Sequence, residues 1–398
     1  MEVSPASTLM VFPDGPFARH LLGGRRPDTI RRGLLKSQQS AHDWAMKDLH
    51  VSELSPQADQ AVREVDCLIV GGGAAGLSAA INLGRMRRST IVVDDKDRFR
   101  WRHPIHNYLG FPDGSTAADL RRLGRRQAAK FGAQFVIGRV ANAAPDGERF
   151  RFRIDPVPAM GPTTDSPDEE LVRTSDVVPT GGHRDVMARS VILAMGVRGH
   201  FPEFPGRNEC VGISLFWCIQ CDGYESIDRV VGVVGHDEEA AETALGLLDF
   251  THRVTLIAGR PEGFSIPASR LADLAANGIA TYPVSVSEFQ NRDGQMQALV
   301  LGDQAGTRIA VEQVYTVRPS LAANDLARQL GVELTEIGQI VVDNDQHTNV
   351  PGVLAAGDIT APHDHQFSAA VHEGNQAACA ANYRLYRPEQ RVPGAEDC

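Results

Sequence analysis

The chain has 398 residues, 42% of them hydrophobic, with six cysteines and a formal net charge of −10. That length holds about two domains plus an extension at roughly 100–200 residues each. The acidic balance excludes a nucleic-acid footprint for the chain as a whole. No apolar run approaches the roughly 20 residues that span a bilayer, and the N-terminus, with Glu2 and Pro5, has no apolar core before a cleavage site. Six cysteines are too sparse for a disulfide framework, so a reducing cytoplasm is the expected compartment.

Residues 1–64 mix Pro, Gly, Arg and Asp with little periodicity, and the basic run Arg25, Arg26, Arg31, Arg32 and Lys36 is diluted by Asp14, Asp28, Asp43 and Asp48. They read as an extension that packs on the body or on a second subunit. Val65 to Val70 predicts a buried strand, Gly76 to Met86 a helix, and Ser89 to Asp94 a second strand crowded with β-branched residues. Asp113 to Phe131 predicts a helix with Leu120, Leu123 and Ala128 on one face, and 154–184 a loop-rich insertion. Ser190 to Gly196 is another buried strand. A second strand–Gly–helix unit begins at Val230, with Glu242 to Asp249 in its helix and Val254 to Ile257 as its next strand. Gly352 to Ala356 predicts a last strand, and about Ser368 to Tyr386 a last helix. Cys67 and Cys379 fall where small core residues are expected, whereas Cys210 and Cys398 have no visible partner. Two βαβ units, the first completed near the C-terminus, imply an α/β fold in which one nucleotide domain is interrupted by another.

The first unit carries Gly71-Gly72-Gly73-Ala74-Ala75-Gly76 between strand and helix. Gly71 allows the tight turn, Gly73 lets backbone approach a pyrophosphate, and Gly76 lets helix and strand pack closely. The free N–H groups and dipole of the helix N-terminus hold the phosphates. Asp94, 18 residues beyond Gly76, ends the next strand where an acid takes ribose hydroxyls, with Asp95 as the adjacent alternative.

Cys218-Ile219-Gln220-Cys221-Asp222 is the one pair with redox or metal spacing. Zinc needs four ligands, usually from a second such pair or a close histidine pair. The other cysteines supply none, and His363, His365 and His372 lie far along the chain. A redox dithiol gains from Asp222, whose carboxyl can give and take the proton that thiol–disulfide exchange moves. No metal is expected. A dithiol beside a complete dinucleotide site points to a flavin exchanging electrons with a disulfide.

From Asp66 to about Arg387 the chain resembles the low-molecular-weight thioredoxin reductases and their flavoprotein relatives. The resemblance rests on Gly71 to Gly76, on Ala194-Met195-Gly196 in place of Ala-Thr-Gly, on Cys218 to Gly223, and on Thr348 to Asp358, in that order. The run His106 to Gly114 also resembles a subgroup of these proteins. The resemblance implies two Rossmann-like, three-layer ββα nucleotide-binding domains, the second inserted in the first. Residues 65–200 with 316–388 would bind FAD, and 201–315 would carry the cysteines. It further implies that Gly71, Gly73, Ala74, Ala75, Gly76 and Asp94 hold the AMP half of FAD. Gly196 and Gly357 join the site, Asp358 meets the ribityl chain, Gln366 lies near the isoalloxazine, and the protein is a homodimer.

The second glycine loop departs from the family. Asp237, Glu238 and Glu239 stand where a pyrophosphate would dock, and only Arg260, in Ala258-Gly259-Arg260, remains of the His-Arg-Arg cluster that reads the NADPH 2′-phosphate. The expected activity is transfer of electrons between FAD and a Cys218–Cys221 disulfide, and on to a protein or small disulfide. NADPH is not the expected donor, and ferredoxin or another one-electron protein takes its place. In that scheme Cys221 faces the flavin and Cys218 is its resolving partner. Two other readings use the same parts. A dithiol oxidase would pass electrons to dioxygen with His365 or His372 as base, and a non-enzymatic flavoprotein would sense redox state.

Overall fold

The computed structural model describes residues 62–95, 104–157, 176–177, 184–198, 201–317, 321–361 and 365–391. The basic run of the N-terminal extension, most of the 154–184 insertion, His363 and Cys398 lie outside these residues.

The first sheet is built around β1 (Arg63–Val70), whose last four residues are buried. It pairs in parallel with β2 (Thr90–Asp94), and β2 with β3 (Gln134–Ile137). On the other side it pairs with the long strand β6 (Arg184–Leu193). The first half of β6 takes an antiparallel hairpin, β4 (Arg139–Asp146) and β5 (Arg149–Asp155), while its second half pairs in parallel with β15 (Val353–Ala355). One edge of β6 therefore serves two partners, and a strand from near the C-terminus joins the sheet that β1 opens.

Helix α1 (Ala74–Arg85) follows β1, and α2 (Ala117–Lys130) precedes β3. The second begins later than its pattern predicts because Thr116 caps it, its hydroxyl accepting from Asp119 N–H at 3.0 Å. Leu120 and Ala128 are buried but Leu123 is 40% exposed. The packed face runs through Leu120, Gly124 and Ala128 at helical spacing of four, and a side chain at Gly124 would press on Leu77. Leu123 is rotated about 100° off that line. The final helix, α5 (Phe367–Arg384), lies close against α1. A Cβ at Gly374 would run into the Ala75 carbonyl, and Ser78 Oγ donates to Val371 O at 2.6 Å.

The second sheet is contained in the chain between β6 and β15. Its order is β7 (Leu215–Phe216), β14 (Gln313–Thr316), β8 (Val231–Val234), β9 (Val254–Ile257), β10 (Ala280–Tyr282), all parallel. Helix α4 (Glu238–Gly246) follows β8, and a tighter helical turn continues it over Leu247–Asp249. Val234, Ile257 and Val314 pack with Met296, Leu299 and Leu301 of an antiparallel meander, β11 (Val286–Arg292), β12 (Gln295–Leu301) and β13 (Arg308–Ala310). Val231, Val233 and Tyr315 pack on the other face with Ala240, Ala244 and Leu274. Meander, parallel sheet and helices make the three ββα layers expected. Among the described residues no helix is long and apolar enough to cross a membrane.

Candidate functional site

The first glycine loop is shaped by close approaches. Gly71 has φ +110°, and a Cβ on it would strike the Ala194 carbonyl. A Cβ on Gly76 would strike the Gly71 carbonyl, so strand and helix meet only through glycine. At Gly73 nothing lies within 4 Å of where a Cβ would be. Gly73 is also the N-cap of α1 and supplies no side-chain cap, which leaves the first-turn N–H groups of Ala74, Ala75 and Gly76 for a ligand. An open cradle over a bare helix N-terminus is what the pyrophosphate of FAD requires.

Asp94 reaches this loop, packed so closely that a Cβ on Gly72 would meet its carboxylate. Its Oδ2 receives both Arg121 Nη2 and Arg125 Nη2 from α2, while Arg121 Nε donates to Gly72 O at 3.1 Å. Burial pushes the Asp94 carboxyl up, but the two guanidinium charges and their hydrogen bonds outweigh it and hold it below its ordinary value. Asp94 Oδ1 takes no part in these bonds. Asp95 turns instead to Arg139 at 3.2 Å. The two arginines were missed by the sequence reading because it followed only the apolar face of their helix. Their spacing of four was the available signal.

On the far side of the cradle, Gly357 has φ +82° and its N–H donates to the buried Glu373 carboxylate at 2.7 Å. Asp358, half-buried, follows in the same turn. Gly196, at φ +65°, ends the crossover from β6 with open space where a Cβ would lie.

Cys218 and Cys221 form a disulfide, with Cα atoms 5.3 Å apart. Cys218 is the N-cap of a single turn, α3 (Ile219–Asp222), and its sulfur accepts from Cys221 N–H at 3.2 Å. Both cysteines are half-buried, and Asp222 behind them is buried. Gln366, the N-cap of α5, directs its Nε2 at Cys221 Sγ at 3.5 Å and Cys218 Sγ at 3.8 Å. Asn107 Nδ2 holds the other end of that amide at 2.8 Å. The disulfide of the second sheet's body thus lies against the residues that begin the last helix of the first. His365 is exposed beside Gln366, and His372 is exposed one turn and a half further along.

At the second glycine loop the helix start is capped by a side chain. Asp237 is the N-cap of α4, and its Oδ1 accepts from Ala240 N–H at 3.1 Å. Gly73 and Asp237 are therefore corresponding N-caps, one without a side chain and one with a carboxylate. Glu238 and Glu239 follow in the first turn. The Glu239 carboxyl is pushed up by burial and by the charges of Asp237 and Glu242. Arg260 Nε donates to Gly263 O at 2.8 Å, inside its own turn.

The pyridine nucleotide-disulphide oxidoreductase family matches residues 65–377. A thioredoxin reductase of Aquifex aeolicus is 27% identical over 82% of this chain and 95% of its own length. The solved oxidoreductase of Agrobacterium tumefaciens is 30% identical, covers 80% of this chain and 97% of its own, and superposes with a TM-score of 0.64. A thioredoxin reductase structure from Streptococcus pyogenes, 22% identical over 82% of this chain and 99% of its own, shares the fold with a TM-score of 0.69.

Proposed function

This chain belongs to the pyridine nucleotide-disulphide oxidoreductase family, whose members bind FAD, and on that premise we propose that it exchanges electron pairs between FAD and the Cys218–Cys221 disulfide without NADPH. The observation that carries the reading is Gln366, which touches both sulfurs from the first body of the fold. Gly71 to Gly76, Asp94, Gly196, Gly357 and Asp358 are the residues that would hold the cofactor. FAD, when bound, would supply a two-electron, two-proton couple.

The chain's own work is on sulfur and protons. Opening the Cys218–Cys221 bond takes two electrons and two protons and yields two thiols. Asp222, directly after Cys221 and buried, would give one of those protons and recover it on reoxidation. The exposed rings of Trp217 and Tyr224 flank the turn, offering a disulfide substrate an apolar rim. Substrate disulfide is reduced by exchange with the open dithiol, thiolate for thiolate.

The capped second loop supports a donor other than NADPH. A carboxylate within about 4 Å of a phosphate repels it by roughly 1 kcal/mol even in water, and by more where water is excluded. Asp237 also takes up Ala240 N–H, one of the donors at this helix start that a pyrophosphate would otherwise meet. A ferredoxin-type protein is the proposed reductant, and a disulfide-bearing protein or small molecule the proposed substrate.

The test is anaerobic reduction of the bound flavin and turnover of a disulfide in wild type, Cys218→Ser and Cys221→Ser. Both variants should stay yellow and lose dithiol turnover by at least about a thousandfold. Retention of turnover by either variant overturns the proposal. Oxygen uptake driven by a dithiol in the absence of any reductase would move the reading to the oxidase direction.

A further inference from the structure

The run His106 to Gly114 is a loop closed at its base. It leaves the short strand Pro104–Ile105 and returns through Ser115–Thr116, the antiparallel partner of that strand. A Cβ on Gly114, at φ +74°, would press on Pro104 and on the His106 ring, so the two ends of the loop pack together. His106, Asn107 and Tyr108 then reach across to the cysteine turn and to the start of α5. His106 Nε2 lies 3.9 Å from Glu225 Oε1, in the turn that follows the cysteines. Asn107 Nδ2 donates to Gln366 Oε1 at 2.8 Å. The Tyr108 ring meets Phe367, the first residue of α5, edge-on with 4.7 Å between centroids.

The middle contact decides which way a side-chain amide faces. Gln366 ends in an oxygen that accepts and an NH2 that donates. With Oε1 held by Asn107, Nε2 is left facing the sulfurs, 3.5 Å from Cys221 Sγ and 3.8 Å from Cys218 Sγ. The packing of Tyr108 on Phe367 steadies the backbone from which that amide extends. A disulfide sulfur accepts such a bond only weakly, so the contact gains little while the pair is closed. A thiolate carries a full negative charge and is stabilised by each N–H that already points at it. Cys221 N–H is one such donor, to Cys218 Sγ at 3.2 Å, and Gln366 Nε2 is a second that reaches both sulfurs.

Resting on the reading of Cys218–Cys221 as the redox pair, we infer that Asn107 is a positioning residue. By holding the oxygen of the Gln366 amide, it keeps the N–H2 aimed at the place where a thiolate forms when the disulfide opens. The opened pair has taken up two electrons and two protons, and the thiol that attacks a substrate disulfide must first give one of those protons up. A donor aimed at the sulfur lowers the thiolate pKa and raises the fraction deprotonated at neutral pH. Without Asn107 the amide would be free to turn and offer its oxygen, which a thiolate repels. The titratable groups around the pair are Asp222 directly after it, Tyr224 and Glu225 in the next turn, and Tyr315 of β14, bonded to Ser226 of that turn. His106 of the loop and His365 beside Gln366 complete the set. All of them stay unchanged in the variants that test Asn107.

The experiment is alkylation by iodoacetamide against pH, on flavin-loaded full-length protein reduced with dithiothreitol and desalted anaerobically. The peptide carrying Cys218 and Cys221 is quantified by mass spectrometry. Iodoacetamide reads the thiolate, so the profile gives the lower apparent pKa of the pair. Wild type is compared with Asn107→Leu, Gln366→Met and the double variant. Gln366→Met should raise that pKa by about one unit. Asn107→Leu should raise it by about half a unit, and in the Gln366→Met background it should add nothing. Asn107→Asp, whose carboxylate only accepts, should turn the amide about and raise the value further. That shift should be larger with Gln366 present than in the Gln366→Met background, and this pair serves if Asn107→Leu does not fold. An Asn107→Leu profile that superposes on wild type, while Gln366→Met differs, overturns the inference. So does an equal shift by either Asn107 variant in both backgrounds. A Gln366→Met profile identical to wild type overturns the action of Gln366 on sulfur and this inference with it. No turnover is needed for these profiles, so the Cys218→Ser and Cys221→Ser test of the redox pair is decided separately.

Discussion

The two strand–glycine–helix turns of this chain start from the same backbone plan and end with opposite chemistry. At the first, the N-cap is Gly73, with no side chain and with open space above it. At the second, the N-cap is Asp237, and its carboxylate satisfies Ala240 N–H. A helix N-terminus has orphan donors that must be met by something. Where the protein meets one of them itself, the helix gains stability and that donor is withdrawn from an anion. Where it leaves them bare, the cost is recovered only when a ligand arrives. Fold alone does not tell these cases apart, because each turn follows a strand that pairs in parallel with the next strand of its unit, and both sit at the carboxyl end of that strand.

The largest effect is expected from copying the second cap into the first. Gly73→Asp should weaken FAD binding by at least about a hundredfold, since the carboxylate would stand in the open cradle facing the pyrophosphate. Flavin retained through gel filtration of the variant, at wild-type stoichiometry, would break the comparison. Next in size is the clamp beside that cradle. Arg121→Ala should raise the FAD dissociation constant about tenfold, because Asp94 loses one of its two cations and Gly72 loses its anchor. Flavin fluorescence released on dilution measures it.

A smaller effect belongs to the cap of the second helix. Asp237→Ala should lower stability by about 1 kcal/mol, and Asp237→Gly by only a few tenths, as read from urea unfolding of the flavin-loaded protein. Equal stability of all three proteins would mean that the carboxylate is not working as a cap. The smallest concerns pH. Asp94 has a folded-state value below its unfolded one, so its contribution to stability is complete above about pH 4 and fades as pH falls through the folded value. The stability difference between wild type and Asp94→Asn should therefore shrink on acidification below about pH 4, and a difference that grows there would contradict the ion-pair account.

What the sequence made legible were features carried by neighbours in the chain. Gly71 to Gly76, the cysteine pair with Asp222, and the strands around Ile69, Ile192 and Leu354 are all local patterns of spacing and burial. The acids at Asp237 to Glu239 were legible as a departure from the first loop, but the role of Asp237 as a cap needed the helix start at Glu238, which the apolar period does not mark. Leu123 misled for a related reason, since an apolar residue at the edge of a helical face has the same period as one at its centre. Contacts across long stretches of chain were not legible at all. Arg121 meets Asp94 over 27 residues, Ser226 meets Tyr315 over 89, and Gln366 meets Cys218 over 148. Each needs the folded sheet to bring it together, and none has a spacing of its own.

The contrast between the two turns is tested most directly by anaerobic mixing of the flavin-loaded protein with micromolar NADPH, with dithiothreitol, and with reduced ferredoxin, following the flavin absorbance. The account predicts bleaching by the dithiol and by reduced ferredoxin, with the NADPH trace flat on the same timescale. Rapid bleaching by micromolar NADPH would show that the second turn still holds a dinucleotide, and would contradict the reading of Asp237.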